Sequence, residues 1–213
     1  MLRRLLLSGV CQMGIPPTGW PPERRPPKLG SVVPLPTRWH GGRVIIRREL
    51  PHDRAAVRAV HAAAFMSPGD GVAPEAHLVD GLRNDGDAVG PLSLVAELGT
   101  EVVGHVMCSR GHIEGQPALG LGPLGVVPAH QHQGIGHALM YGVLAAADAL
   151  DETCVVLLGD VGYYSRFGFE LAEPLGVRPP NPGWTEHFQI RRLTAWSDTL
   201  RGTFHYAPAF DRL

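Results

Sequence analysis

The sequence predicts a single α/β domain of the α+β type, in which a mixed, mostly antiparallel sheet with a central parallel pair is flanked by helices. One reason is a hairpin pattern over 92–108, where two apolar strands on either side of a Gly-Thr-Glu turn must pair antiparallel. A second reason is the strand, long helix and strand over 119–158, which require a right-handed crossover and parallel pairing. The third is length, because the region after the first 43 residues has about 170 residues, enough for one domain.

The first half of this region contains a strand, two helices and the hairpin. Asp53 can accept a hydrogen bond from the first turn of a helix and is therefore a candidate N-cap. Pro74 fits the first turn of a second helix, because that position needs no backbone N–H, and Gly86 follows its end. The predicted elements are strand 44–46, a helix capped by Asp53 and ending at Phe65, helix 74–84, strand 92–96 and strand 102–108.

The second half is dominated by the longest helical pattern of the chain. Its apolar residues recur every three or four positions, at Ile135, Ala138, Leu139, Gly142, Val143, Ala146 and Leu150. Pro128 ends the preceding strand, because proline cannot donate to a neighbouring strand, and we expect the two parallel strands to splay there. The predicted elements are strand 119–127, helix 134–150, strand 153–158, helix 163–167, a strand at Phe169, a loop over 170–190, and strands at 188–190 and 204–206.

The first 43 residues differ from the rest of the chain in composition. They contain 8 Pro and 6 Gly and have a net charge of +6, from seven basic and one acidic residue, whereas 44–213 has −7, from 12 basic and 19 acidic residues. We expect a disordered or extended basic tail over 1–43 and the folded domain over 44–213. An unstructured extension and a start codon assigned too far upstream both fit this tail, as does contact with a membrane or nucleic acid. Its apolar run Leu5–Leu7 is too short for a signal peptide, so we expect a cytoplasmic protein.

The overall composition excludes several functional classes. A net charge of −1 gives the chain no electrostatic footprint for nucleic acid, and no apolar run approaches the ~20 residues of a membrane span. Three cysteines, Cys11, Cys108 and Cys154, cannot build a disulfide framework, and no CxxC pair indicates zinc. Cys108 and Cys154 lie in apolar strands, where we expect them to pack as small hydrophobic residues.

The segment 124–136 carries the most specific chemical signal. A strand ends at Pro128, a short loop follows, and Gly134 and Gly136 open the long helix. The first N–H groups of a helix lack partners within it, and its dipole adds about half a positive charge there. Glycine places no side chain between the backbone and a phosphate, and no acidic residue occurs on this helix before Asp148. The pattern therefore predicts an anion-binding loop.

Two common phosphate-binding motifs are absent from the sequence. The Rossmann pattern GxGxxG does not occur, and a P-loop needs a lysine, whereas the only lysine is Lys28 in the tail. The pyrophosphate of another cofactor therefore remains as the candidate anion for this loop. The splayed strand beside the loop exposes backbone N–H and C=O groups, to which an extended molecule that carries amides can bind like a strand.

Two motifs of this region are specific enough to compare with known families. The first is Gln131-x-x-Gly134-x-Gly136 after Val126-x-Pro128, and the second is Gly159-Asp160-x-x-Tyr163-Tyr164-x-Arg166-Phe167-Gly168-Phe169. The first resembles the acyl-CoA signature of the GNAT superfamily of N-acyltransferases. The second is similar to a landmark of one bacterial branch, the YhbS-type predicted acetyltransferases. Shorter matches occur at 93–96, 103–105, 121–124 and 202–210, so that the resemblance covers 44–211 and not the tail.

The resemblance implies an acetyltransferase that uses acetyl-CoA as a co-substrate and no metal. By this likeness the splayed strand holds the pantetheine at Leu124, Gly125 and Val126. The loop and helix start hold the pyrophosphate, with Gln131, His132, Gln133, Gly134, Ile135, Gly136 and His137 as the contact residues. The histidines of this stretch then face solvent or phosphate rather than a metal ion.

The likeness also implies that a primary amine attacks the thioester directly within a ternary complex. The backbone N–H of Val126 is the candidate that polarises the acyl carbonyl, as in an oxyanion hole. Tyr164, four residues before Gly168, is the candidate acid that protonates the departing thiolate, with a packing role as the alternative. His105 and Glu97 are candidates to carry away the proton of the amine through water; a structural histidine and a surface charge are the alternatives.

Three departures from the branch leave parts of the mechanism open. Val161-Gly162 replaces the usual Pro-Ala, Gly125 replaces the usual Ala, and no carboxylate occurs over 119–127, where many relatives place the general base. The base is therefore unassigned. A non-catalytic acyl-CoA-binding sensor or regulatory module is an alternative function, and a structural partner domain without a cofactor is a third, which the helix-opening glycines disfavour.

The acceptor is expected to be a small-molecule or peptide amine. The net charge of −7 over 44–213 favours a cationic amine by long-range attraction. The proline-rich region 170–190 is expected to cover the acceptor side. We expect no nucleic-acid or membrane partner for the domain, and a monomer and a homodimer are both compatible with the sequence.

Overall fold

A central sheet with helices on both faces organises the chain. The computed structural model describes residues 43–65 and 73–212, so the predicted tail before Arg43 lies outside the described residues. The strands are β1 (Val44–Arg48), β2 (Ala88–Leu98), β3 (Glu101–Ile113), β4 (Gln116–Val126), β5 (Cys154–Leu158), β6 (Glu170–Leu171), β7 (Val177–Arg178), β8 (Phe188–Arg192) and β9 (Gly202–His205). The helices are α1 (Arg54–Phe65), α2 (Pro74–Asp85), α3 (Ile135–Ala149) and α4 (Val161–Tyr164). Within the described ranges, no helix is long and apolar enough to cross a membrane.

Strand pairing confirms the predicted mixed sheet. The strand order is β1-β2-β3-β4-β5-β8-β6, and β9 pairs with β3. All neighbours along this order are antiparallel except β4 and β5, which are parallel, as the strand–helix–strand pattern predicts. The sheet and its flanking helices form the expected α+β architecture. A short parallel pair of β7 with β9 was not predicted.

The two central parallel strands separate soon after they pair. The register joins only 119–120 of β4 to 155–156 of β5. Beyond these pairs both strands continue without pairing to each other, and we call the opening between 124–126 and 157–158 the β4–β5 gap. The splay predicted from the sequence is therefore present.

Apolar side chains pack on both faces of the sheet. On one face α3 packs against β2 and β3, and Leu139 is fully buried there. On the other face α1 and α2 pack with the C-terminal turn Pro208–Arg212, around Val57 and Leu82. A third cluster around Phe188 fills the end of the sheet beyond β5. As a result, α1 covers β3 and β4, while α3 begins beside the end of β4.

The first helix begins directly after Asp53 and ends at Phe65, as predicted, but the Asp53 side chain has partners outside the helix. A 3₁₀ turn over Pro51–Asp53 precedes α1, and the Asp53 carboxylate accepts a hydrogen bond from the Leu50 N–H at 2.8 Å. The same carboxylate pairs with Arg47 at 2.6 Å, and this hydrogen bond lowers the pKa of Asp53 to about 2. Asp53 therefore ties β1 to the turn before α1 rather than capping the helix.

The region 170–190 is more regular than the predicted loop. It contains β6, β7 and two 3₁₀ turns, Glu173–Leu175 and Pro182–Trp184. Its apolar residues Val177 and Trp184 are buried in the third cluster, next to β5 and β8. This burial holds the short elements against the sheet. The proline content alone did not indicate this packing.

Candidate active site

The loop between β4 and α3 passes twice through left-handed backbone conformations. After the Pro128–His130 turn, His132 has φ of 58° and Gly134 has φ of 83°. Glycine adopts such an angle without strain, and Gly134 is the N-cap residue of α3. The first N–H groups of α3 have no partners within the helix, and its first turn contains no acidic residue. The loop therefore presents free backbone donors in a region of partial positive charge.

A cavity of about 250 Å³ lies at this helix N-terminus. Its lining includes residues that the sequence singled out as cofactor contacts: Val126, Gln131, His132, Gly134, Gly136 and His137. The cavity is also lined by His130, Tyr163 and Arg166, which were not among those predicted contacts. The loop, the end of β4 and the α4 region thus meet at one cavity. Four predicted contacts are not part of its lining, namely Leu124, Gly125, Gln133 and Ile135.

Arg166 supplies a permanent positive charge at the cavity. Its guanidinium lies 3.1 Å from Nε2 of His137 and 5.1 Å from the centre of the Tyr163 ring. Partial burial and the nearby arginine lower the pKa of His137, so this histidine is neutral at pH 7. A guanidinium beside helix N–H groups is a favourable arrangement for phosphate oxygens.

Three predicted contact residues have side chains that are already engaged elsewhere. The Gln131 amide donates to the Val126 carbonyl at 3.0 Å, and the Gln133 amide donates to the Ala129 carbonyl at 3.1 Å. Ile135 is 1% exposed and packs in the core below α3. These residues therefore shape the loop through their side chains and can meet a ligand through their backbone.

The N–H of Val126 points into the β4–β5 gap. Backbone hydrogen bonds along an antiparallel strand alternate between its two sides. The Val127 N–H donates to the Val103 carbonyl at 3.0 Å, toward β3. Val126, paired with Gly104 in the register, therefore directs its N–H and C=O away from β3. Gln131 satisfies the C=O, and the N–H is left facing the gap.

Tyr164 lies on the β5 side of the gap. Its ring packs against Gly159, the residue after β5, so closely that a Cβ built there would touch it at 2.4 Å. It also contacts the rings of Tyr163 and Phe169. Burial raises the pKa of Tyr164, so the phenol stays protonated at neutral pH. Despite the unusual Val161-Gly162 pair, α4 forms, and Asp160 caps it by accepting from the Tyr163 N–H at 2.6 Å.

His105 is fully buried on the face of the sheet that α1 covers, which is opposite to the face that α3 covers. Its Nδ1 lies 2.7 Å from Nε2 of His61, and its Nε2 lies 2.9 Å from Oγ of Ser93. Oε2 of Glu49 is 3.4 Å from the same Nε2. Of these four residues, only His105 was a candidate site residue in the sequence. His61 could have been noticed because it lies in the apolar stripe of a predicted helix, and a polar side chain that is buried there needs a hydrogen-bond partner.

Other candidates from the sequence have structural partners or are inert. Glu97 accepts a hydrogen bond from Arg47 at 2.7 Å. Cys108 and Cys154 are buried free thiols, and burial raises the pKa of both. In the part of the chain that the structure describes, no group of three or more His, Cys, Asp or Glu side chains is arranged to hold a metal ion.

Comparison with known proteins identifies relatives over most of the chain. A family model described as an acetyltransferase (GNAT) domain matches residues 91–171. The chain is 35% identical over 161 residues to the uncharacterized N-acetyltransferase YhbS of Escherichia coli K12, an alignment that covers 75% of this chain and 92% of YhbS. It is 34% identical over 158 residues to the uncharacterized N-acetyltransferase YjhQ of the same organism, covering 70% of this chain and 84% of YjhQ.

Two solved structures are similar in both fold and sequence. The crystal structure of Escherichia coli YhbS in complex with CoA matches with a TM-score of 0.71 at 32% identity, covering 80% of this chain and 93% of YhbS. A GNAT family acetyltransferase from Brucella melitensis in complex with acetyl-CoA matches with a TM-score of 0.66 at 36% identity, covering 79% and 99%. With its sheet, its splayed strands and these relatives, the chain belongs to the GNAT family of N-acetyltransferases.

Proposed function

We propose that this chain is a cytoplasmic N-acetyltransferase that moves an acetyl group from acetyl-CoA to a primary amine by direct attack in a ternary complex. The observation that carries the proposal is the free Val126 N–H at the β4–β5 gap, next to the cavity at the α3 N-terminus. A fixed backbone donor can polarise a thioester carbonyl, and a helix N-terminus can hold a pyrophosphate. The complexes of the two relatives with CoA and acetyl-CoA support this assignment.

The described residues fit acetyl-CoA in two parts. We assign the amides of pantetheine to the unpaired backbone groups of 124–126, which can bind them like a neighbouring strand. The pyrophosphate is assigned to the backbone donors of 132–137, with Arg166 as an additional cation that lines the same cavity. Gln131 holds the end of β4 in place through its hydrogen bond to Val126.

The chemistry on either side of the gap suits acyl transfer. Val126 N–H stabilises the negative charge that develops on the carbonyl oxygen when the amine attacks. Tyr164, on the β5 side, is the proposed donor to the departing thiolate, because its buried phenol is protonated at neutral pH. Acceptors are small-molecule or peptide amines, and the net charge of −7 over 44–213 favours cationic ones. The free thiols Cys108 and Cys154 fit a reducing compartment.

Calorimetric titration of acetyl-CoA, and of free CoA, tests the binding part of the proposal. The full chain and a shortened chain of residues 44–213 are compared, since we propose that the domain 44–213 carries the site. Saturable binding at one site in both chains is the expected result. A folded full-length chain that binds neither compound contradicts the proposal, and binding by the full chain alone shows that the tail completes the site.

Release of CoA, followed with a thiol reagent, tests turnover. The amine panel contains diamines, amino-acid amides, aminosugars and peptides with a free N-terminus, each measured against a blank without amine. We expect amine-dependent release with at least one class. Tight binding of acetyl-CoA without release by any of them favours the alternative function, a non-catalytic acyl-CoA-binding module.

A further inference from the structure

We propose that a buried chain of four side chains supplies the general base that takes the proton of the acceptor amine at the reacting centre. This chain, which we call the histidine relay, consists of His61, His105, Ser93 and Glu49. His61 is the catalytic residue that takes the proton, and the other three are positioning residues that fix the orientation and the proton of its ring. The inference rests on the acetyl transfer proposed above, and it supplies the base that β4 lacks.

The histidine relay is continuous at hydrogen-bond distance. Nε2 of His61 lies 2.7 Å from Nδ1 of His105. Nε2 of His105 lies 2.9 Å from Oγ of Ser93 and 3.4 Å from Oε2 of Glu49. The Ser93 hydroxyl in turn donates to Glu49. Both histidines and Ser93 are buried, so the relay runs through the interior between α1, β3, β2 and the end of β1.

These hydrogen bonds fix the position of each proton. Burial alone would raise the pKa of Glu49, but the hydrogen bonds around it lower that pKa to about 2, and the carboxylate can only accept. Ser93 therefore donates to Glu49 and accepts from the Nε2–H of His105. Burial lowers the pKa of both histidines and keeps them neutral, so Nδ1 of His105 accepts from the Nε2–H of His61. The lone pair at the end of the relay is then on Nδ1 of His61.

This lone pair lies at the reacting strand. Nδ1 of His61 is buried and has no hydrogen-bond partner among the described residues. A Cβ built on Gly125 would lie 2.9 Å from it, so the imidazole occupies the space of a side chain at that position. Gly125 immediately precedes Val126, whose N–H faces the gap. A buried acceptor without a donor is unfavourable, and the N–H of an amine at the gap, directly or through one water, supplies the missing donor.

The other end of the relay borders a second cavity. This cavity, of about 320 Å³, is lined by Glu49 and Ser93 together with the basic side chains of Arg48, Arg54 and Arg83. Arg83 donates to the second carboxylate oxygen of Glu49. Glu49 and Asp53 favour a positive charge on His105, and Arg83 opposes it. On His61, both His105 and Arg83 oppose a positive charge. The ionised carboxylate thus orients the imidazoles through Ser93 and favours a positive charge on His105, the ring next to it, as the aspartate does for the histidine of a catalytic triad.

The reaction that follows conserves atoms and charge. The amine nitrogen bonds to the thioester carbonyl carbon, and the carbonyl π electrons move to the oxygen that Val126 N–H stabilises. Nδ1 of His61 takes the proton that the nitrogen loses. The oxygen then re-forms the C=O bond as the C–S bond breaks, and the C–S electron pair leaves with sulfur, which takes the proton of the Tyr164 phenol. Tyr164 regains a proton from water and His61 releases one to water, leaving the acetylated amine and the thiol of CoA.

Matched glutamine variants of the full chain test the relay through CoA release. Glutamine has no basic nitrogen, so His61→Gln should lower kcat by about 100-fold or more, the usual size of a general-base effect. Its Kd for acetyl-CoA, measured by calorimetry, should not change. The loss should shrink as pH rises, because hydroxide replaces the missing base, which a purely structural defect would not show. His77→Gln, the same change at an exposed position of α2, is the control and should leave kcat and Kd unchanged.

Two outcomes of this comparison overturn the relay. Full activity of His61→Gln, or a loss that is the same at every pH, removes His61 from proton transfer. An impaired His61→Gln beside a fully active Glu49→Gln shows that His61 acts alone. If the unchanged chain and His77→Gln release no CoA with any amine, the proposed function fails instead. The hydrogen-bond order of the relay is then tested by measuring which ring nitrogens carry protons.

Nitrogen NMR of the histidine rings in the unchanged chain measures those proton positions without turnover. We expect His61 and His105 to carry their protons on Nε2 at pH 7 and to remain neutral, with the signals assigned through His61→Gln and His105→Gln. A proton on Nδ1 of His61, or a doubly protonated ring, reverses the hydrogen bonds and overturns the relay whether or not the chain turns over.

Discussion

Adding one methyl group at Gly125 tests the close packing of β4 against α1. A Cβ built on Gly125 lies 2.9 Å from Nδ1 and 3.2 Å from Cε1 of His61, and 3.4 Å from Cβ of Ala64. The first distance is shorter than a normal van der Waals contact, so His61 or the whole of α1 must move in Gly125→Ala. Overpacking of this kind costs about 1–3 kcal/mol of folding free energy, and each kcal/mol lowers Tm by about 2–4 °C in a domain of this size.

Thermal unfolding followed by circular dichroism measures this effect. Gly90→Ala in β2 is the matched control, because nothing lies within 4 Å of its added Cβ, and its Tm should stay level or rise slightly. In a His61→Ala background the methyl group has room, so the same substitution at Gly125 should lower Tm less. Equal Tm values for Gly125→Ala and Gly90→Ala, or an equal decrease with and without the His61 ring, would refute the packing argument.

Three further outcomes are expected from the site and the core. Tyr164→Phe should lower kcat severalfold or more while the Kd for acetyl-CoA stays nearly the same; unchanged CoA release would remove the phenol from the mechanism. Gly134→Val should abolish acetyl-CoA binding in calorimetry, because valine is strained at φ of 83° and fills the helix start, and retained affinity would contradict the anion site. Burial raises the pKa of Glu75 from 4.5 to about 7, so the folded state loses stability as pH rises between these values. Glu75→Gln should remove that loss, and a Tm difference from the unchanged chain that is equal at pH 5 and pH 8 would speak against it.

The local parts of the site could be predicted from the sequence. Pro128 ends a strand through its own missing N–H, and Gly134 and Gly136 mark a helix start through their own conformational freedom. Both effects act within a few residues, so the order of residues is enough to locate the gap and the loop. The α+β class could be predicted for the same reason, since the hairpin and the strand–helix–strand unit are short-range patterns.

The parts that depend on distant contacts could not be predicted. His61 and His105 are 44 residues apart, and so are Glu49 and Ser93, yet each pair meets in the folded chain. No periodicity links such positions. Asp53 is a second example. Its residue type favours capping a helix, but in the folded chain its carboxylate pairs with Arg47 instead.

The β4–β5 gap also divides the sheet into two halves. In the backbone pairing between β4 and β5, only 119–120 and 155–156 join β5, β8 and β6 to the remaining strands. A ligand bound along 124–126 adds the missing backbone partners and behaves as one more strand. We therefore expect amide hydrogen exchange at Val126 to slow when acetyl-CoA binds. The co-substrate would then act as a structural member of the sheet as well as the acetyl donor.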